Sequence, residues 1–280
     1  MSGDHQLTAG IVVAMEAEQK HLLTAASNVQ SLPSAVFPTS LLTIGDTRCV
    51  IVRSAIGMVH AAAATQFLIG DHHPAIVLNF GCAGAHRRDI LPGEVIIGDR
   101  CVYHAATQIL PDGRERYVGF TSEDGSDIAH VSQFNAVTAD PGLVERALAV
   151  VQRDGIEPWP GSSESPGVTL GAIASADVWT QSTARLDAIH RRHRTLCEDM
   201  EAAAIGRIAH LHQLPFLSVK DISNNEFLRA SDLSDFSDFP IEEVGKRAAA
   251  VIAGLVRDLS GFDAVAAYSR NSNGLTTITR

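Results

Sequence analysis

Six short apolar runs rich in Val and Ile recur along the chain, at positions 10–14, 50–53, 75–80, 94–97, 168–175 and 216–220. Strict alternation of apolar and polar residues is weak in them. That pattern suits strands buried on both faces of a sheet covered by helices. Alanine-rich stretches with helical spacing separate the runs, at 16–26, 58–69, 141–153, 183–192, 200–212 and 241–259. Helices alternating with buried strands predict an α/β fold with a central, largely parallel or mixed sheet. No composition break cuts the chain, so residues 8–260 read as a single domain and 261–280 as a polar tail. Segment 108–132, with its Pro111-Asp112-Gly113 and Asp124-Gly125 turns, reads as a long loop. Segment 155–167 reads as a surface loop.

The charge balance narrows the range of partners. With 22 basic and 32 acidic residues in 280, the formal net charge is −10. Such a chain gives no attraction to polymeric nucleic acid or to an anionic membrane surface. Small anions stay possible, because backbone amides bind them whatever the net charge. Charged residues make up only 19%, which argues against disorder. The four cysteines, Cys49, Cys82, Cys101 and Cys197, form no CxxC and read as buried thiols in a reducing compartment. The first ten residues lack a basic stretch before an apolar run. The uncharged segment 58–70 contains His60, Thr65 and Gln66 and is too short and polar to span a bilayer. A cytoplasmic protein is expected.

Twelve histidines invite a metal reading, but none sits in an HExxH motif and no CxxC accompanies them. No metal and no cofactor are expected, and no GxSxG elbow marks a serine nucleophile. Asn79-Phe80-Gly81-Cys82-Ala83-Gly84-Ala85 follows a buried run, and its small residues let a ligand approach the backbone. Two acidic patches stand beside buried elements. Ala14-Met15-Glu16-Ala17-Glu18 ends the first run, and Glu198-Asp199-Met200-Glu201-Ala202 opens the fifth helical stretch. Carboxylates in a first helical turn also interact favourably with the helix dipole. In open α/β sheets, however, ligands collect at the carboxyl ends of strands.

These motifs carry a resemblance. Residues 10–18 resemble the first strand and catalytic glutamate turn of the methylthioadenosine/S-adenosylhomocysteine nucleosidases. Ser54-Ala55-Ile56-Gly57-Met58-Val59 resembles their SGIGKV segment, and 79–85 resembles their glycine turn. Residues 198–202 resemble their VEMEA motif, and 219–224 the strand that ends in their catalytic aspartate. Five motifs in the family's order identify the chain as similar to the purine nucleoside phosphorylase/nucleosidase superfamily. The resemblance implies a mixed, partly barrel-like sheet ringed by helices, a homodimer, and cleavage of the N-ribosidic bond of a small-molecule purine nucleoside. It implies that Glu18 activates water, that Glu201 stabilises the cationic ribose, and that Met200 packs on the sugar. Trp179 stacks on the purine in this reading. Ile56, Cys82, Ala83, Thr180 and Ser223 complete the binding site, and Asn224 assists at N7. For Glu18 to act as a base, burial must raise its pKa against the helix dipole.

Departures from the pattern keep alternatives open. Cys82 replaces a usual serine, and Lys220-Asp221-Ile222-Ser223-Asn224 stands where the nucleosidases read close to Arg-Ala-Ile-Ser-Asp. Two bases stay open, adenine, as in methylthioadenosine, and a 6-oxopurine. Phosphorolysis is the alternative to hydrolysis, although Asn79 occupies the place of a phosphate-binding arginine. A nucleoside-binding or storage protein without activity is the alternative of another class.

Overall fold

On the first strand, β1 (Thr8–Val13), Ile11 and Val13 join one buried cluster and Val12 joins another. Successive side chains of a strand point to opposite faces, so both faces of this sheet are covered. The computed structural model describes residues 8–34, 36–118, 136–230, 241–259 and 261–264. After β1 come α1 (Glu16–Thr24) and three strands, β2 (Ser27–Leu32), β3 (Thr39–Ile44) and β4 (Thr47–Arg53). Helix α2 (Met58–His72) leads into the long strands β5 (Ile76–Ala85) and β6 (Val95–Tyr103). The short strands β7 (Thr107–Ile109) and β8 (Glu115–Tyr117) pair as a hairpin, and β9 (Ala136–Thr138) lies along β6. The chain continues through α3 (Pro141–Asp154), β10 (Val168–Ser175), α4 (Thr183–His193), β11 (Thr195–Asp199), α5 (Ala202–Leu211), β12 (Phe216–Asn224) and α6 (Lys246–Arg257).

The strand order is β11-β10-β6-β12-β5-β1-β4-β3-β2, and β11 also pairs with β5. Strands β5, β12, β6, β10 and β11 therefore close into a barrel, from which β1, β4, β3 and β2 extend as an open wing. Pairing is mixed: β12 runs parallel to β5 and antiparallel to β6. The barrel closes through only two residue pairs, Cys197 with Ala85 and Glu198 with Gly84. Helices α1, α3 and α6 pack on one side and α2 and α5 on the other. This is the single α/β domain with a mixed, partly barrel-like sheet surrounded by helices that the sequence predicts.

Local chemistry sets the helix starts. Asp140 caps α3 by accepting from the Leu143 amide at 3.0 Å, with Pro141 in the first turn. Helix α6 is capped from outside: the Asp221 carboxylate on β12 accepts from the Gly245 and Arg247 amides at 2.9 and 3.0 Å. Burial raises the Asp221 pKa to about 7 against those two bonds.

Several expectations need correction. Strand β11 was not predicted, because Thr195, Glu198 and Asp199 carry no apolar signal; their polar groups are buried against partners instead. Glu198 and Asp199 consequently end a strand rather than open a helix, and the helix expected from 200 starts at Ala202. The helix expected from 241 starts at Lys246, after a run of turns. The long loop expected at 108–132 begins with the β7–β8 hairpin, and its part beyond 118 lies outside the described residues. Segment 155–167 is irregular, as expected, and is tied down. Arg247 donates to the carbonyls of Glu157 and Pro158 and stacks 4.8 Å from the Trp159 ring centroid. Of the tail, 265–280 lies outside the described residues. Among the described residues no helix is long and apolar enough to cross a membrane.

Candidate active site

The carboxyl ends of β1, β5, β11 and β12 converge on a cavity of about 210 Å³. All ten residues singled out from the sequence line it: Glu18, Ile56, Cys82, Ala83, Trp179, Thr180, Met200, Glu201, Ser223 and Asn224. The parallel strands β1, β5 and β12 deliver their ends to one edge of the sheet, and β11, antiparallel to β5, meets that edge where Glu198 pairs with Gly84.

Glu18 sits in the first turn of α1 and folds back on the chain that precedes it. One carboxylate oxygen accepts from the amides of Ala14 and Met15 at 3.2 and 3.0 Å. The other accepts from the Cys82 amide at 3.1 Å, joining the first acidic patch to the glycine turn. A Cβ on Gly81 would lie 2.4 Å from that oxygen, so the close approach requires glycine. Only 3% of Glu18 is exposed. Burial raises its pKa above the ordinary 4.5, and the Lys220 charge and the three amides oppose the rise. Glu16 points outward and pairs with Arg53 at 2.9 Å, a solvated neighbour of Glu18.

Glu201 precedes α5, and its carboxylate accepts from the Gly57 amide at 2.8 Å. Gly57 holds φ at 109°, a conformation L side chains rarely adopt, and thereby aims its N–H at the carboxylate. The next amide, Met58, donates to Asp177 at 2.7 Å. Burial and the neighbouring Asp199 charge raise the Glu201 pKa, and Lys220 opposes them. Lys220 is itself buried and pairs with Asp199 at 2.8 Å. It stays charged, because the attraction of Asp199, Glu201 and Glu18 outweighs the desolvation that would lower its pKa. Asp199 also accepts from the Ala202 amide at 2.9 Å and from Ser175 Oγ, which fixes the turn carrying Met200 and Glu201.

The far wall holds Asn224 at the end of β12. Its carbonyl oxygen accepts from Ser223 Oγ at 2.8 Å, and its amide nitrogen donates to Glu226 at 2.9 Å. Trp179 is 40% exposed at the cavity wall and is not a core residue. Thr180 turns both its amide and its hydroxyl to Glu198, each at 3.1 Å, so its polar groups serve that carboxylate. Burial alone would raise the Glu198 pKa. The His104 and His86 rings, 3.1 and 3.7 Å away, reverse this and hold it at about 2.

Sequence reading did not assign Glu226, Glu198, Asp199 or Lys220 a place at the site. The last three stand inside recognised motifs, and only the paired partner reveals their role. Glu226 lies two residues beyond the last motif and carries no signal of its own. Asn79 does not face the cavity. It donates to the Val12 carbonyl at 2.9 Å and accepts from Ser218 Oγ at 2.7 Å. Among the described residues no group of His, Cys, Asp or Glu side chains is arranged to hold a metal.

A family model described as the phosphorylase superfamily matches residues 8–259, and the chain belongs to that family. It is similar to the 5′-methylthioadenosine/S-adenosylhomocysteine nucleosidase of Chromohalobacter salexigens, with 30% identity over 89% of this chain and 96% of that one. The Staphylococcus aureus nucleosidase is 29% identical over 78% of this chain and 87% of its own length. Among solved structures, the same enzyme from S. pneumoniae, with a transition-state inhibitor, superposes with a TM-score of 0.71 at 26% identity. That match covers 90% of this chain and all of the other. The futalosine hydrolase of Helicobacter pylori shares the fold, with a TM-score of 0.73 at 20% identity over 91% of this chain and 99% of its own.

Proposed function

We propose that this protein hydrolyses the C1′–N9 bond of a purine nucleoside, releasing free base and a ribose derivative. One observation carries the reading. The cavity wall bears five carboxylates, Glu18, Glu198, Asp199, Glu201 and Glu226, and no lysine or arginine among the described residues. Breaking the bond builds positive charge on the sugar, which carboxylates stabilise. Phosphate, by contrast, would enter against like charge. Asn79, where a phosphorylase of the superfamily would place an arginine, spends its amide inside the sheet. The nucleosidase relatives support the same choice.

In this mechanism Glu201 hydrogen-bonds ribose hydroxyls and gains strength as the sugar becomes cationic. Glu18, ionised, takes a proton from the water that attacks C1′. Met200 and Ile56 pack on the sugar side, Trp179 stacks on the base, and Ala83 and Cys82 give the ligand close access to the β5 turn. Asn224, held by Ser223, meets the purine edge. We assign the working assembly as a homodimer, in line with the resemblance and with the exposed Ile56 on the cavity wall and the exposed Val59 three residues further on; light scattering of the eluted protein tests this. Four unpaired cysteines support a reducing, cytoplasmic setting. The deciding experiment measures base released from inosine, adenosine and 5′-methylthioadenosine with and without phosphate. Hydrolysis gives release independent of phosphate. Strict dependence on phosphate would reassign the protein as a phosphorylase, and absence of release from all three would remove the reading.

A further inference from the structure

The purine leaves readily only if its imidazole nitrogen gains a proton as the bond to the sugar breaks. Position 224, where the resemblance expects an aspartate, holds an amide, and an amide N–H does not act as the acid. A carboxyl group nevertheless stands beside it. Glu226 lines the cavity, is 9% exposed, and accepts from Asn224 Nδ2 at 2.9 Å.

Its position is built rather than incidental. Asn225, the residue between, donates to the carbonyls of Arg87 and Ile90 at 2.8 and 2.7 Å and accepts from the Phe227 amide at 3.0 Å. That clamp turns the chain directly after β12, so that Asn224 and Glu226 face the same cavity while Asn225 points away from it. Gly84 stands opposite: a Cβ there would lie 3.3 Å from Asn224 Nδ2, so the glycine turn leaves room for the amide.

We propose that Glu226 is the group that protonates the leaving purine at N7, with Asn224 orienting its carboxyl. The inference rests on the nucleosidase reading above. The proton on the Glu226 carboxyl passes to N7 while the C1′–N9 electron pair passes to the purine. The neutral base departs as its N7–H tautomer and Glu226 remains as carboxylate. Water gives its hydroxyl to C1′ and its proton to Glu18; Glu18 then releases that proton to solvent and Glu226 takes one back from solvent, which restores both groups. The carboxyl function of the purine site has thus moved two residues along the chain.

The test compares wild type, Glu226→Gln and the double variant Asn224→Asp/Glu226→Gln. The probes are whichever of inosine, adenosine and 5′-methylthioadenosine the wild type cleaves, and its N7-methylated counterpart. The methylated probe already carries the positive charge that protonation supplies and needs no acid. Loss of a general acid costs about 10²-fold or more, so Glu226→Gln should lose that much kcat on the parent nucleoside. On the N7-methylated probe it should keep nearly all of its activity, which also shows that the variant is folded. Restoring a carboxyl at position 224 in the double variant should recover most of the loss. Equal losses on both probes, or no loss on the parent, would overturn the assignment while leaving the nucleosidase reading intact. A wild type that cleaves none of the three nucleosides would remove both.

Discussion

Lys220 Nζ lies 2.8 Å from Asp199 Oδ2, with the two side chains only 2% and 1% exposed. Lys220 opposes the rise in pKa of both Glu18 and Glu201, whereas its partner Asp199, on the cavity wall, adds to the rise at Glu201. Breaking a buried pair by removing one partner costs about 3–5 kcal/mol, because the other charge is left uncompensated. Lys220→Met should therefore lower stability by that amount in denaturant titration. It should also move the acidic limb of the activity profile to higher pH, since the cation that favours ionised Glu18 is gone. A variant with unchanged stability would show that Asp199 finds another partner.

Glu18→Gln should reduce turnover by about 10²-fold or more, the scale of general-base loss. Binding of the purine product, measured by calorimetry, should survive. The sign of the pH effect follows from burial. The base works ionised and its pKa is raised, so kcat/KM falls as pH drops through a value above the usual 4.5. Near-normal turnover would sink the assignment of Glu18 as base.

Gly81→Ala places a methyl 2.4 Å from the Glu18 carboxylate oxygen. The carboxylate is the flexible partner and should swing away from the Cys82 amide. Turnover should then fall about tenfold or more, and the thermal midpoint should fall with it, because Gly81 holds φ at 159°. A large loss of stability with normal turnover in the remaining folded protein would contradict this account.

Glu201→Gln should depress kcat more than it raises KM, because its bond to the sugar tightens only as positive charge develops. A change confined to KM would make Glu201 a ground-state contact.

Base choice follows from the amide at 224. An asparagine offers N–H donors to the O6 of a 6-oxopurine, whereas the 6-amino group of adenine meets donor with donor. An unpaired buried polar group costs about 1–3 kcal/mol, or roughly 5- to 150-fold. Inosine-type substrates should exceed adenosine-type ones in kcat/KM by that range, and Asn224→Asp should shift the ratio toward adenine. Adenine preference in the wild type, unmoved by the substitution, would show that Asn224 does not set the base.

The barrel strands β5, β6 and β12 are legible because their apolar runs bury on both faces, and β10 because its second half does. Strand β11 is not, since Thr195, Glu198 and Asp199 are buried by His86, His104, Lys220 and Ser175 rather than by apolarity. Strand β2 is an edge with mostly exposed residues and carries no core pattern at all. At the site, residues inside recognisable segments could be placed around one cavity. Glu226 could not, because its position depends on Asn225 reaching carbonyls more than 130 residues away.

The barrel is fastened at Cys197–Ala85 and Glu198–Gly84, between the glycine turn and the acidic segment that flank the cavity. The joint is therefore a clasp, and a nucleoside touching both segments would bolt it shut from inside. Occupancy would be written in the solvent exchange of these few amides, which should slow on ligand binding while the wing of β2 and β3 keeps its unliganded rate. The shortest seam of the sheet would then be the place where the molecule registers that its site is filled.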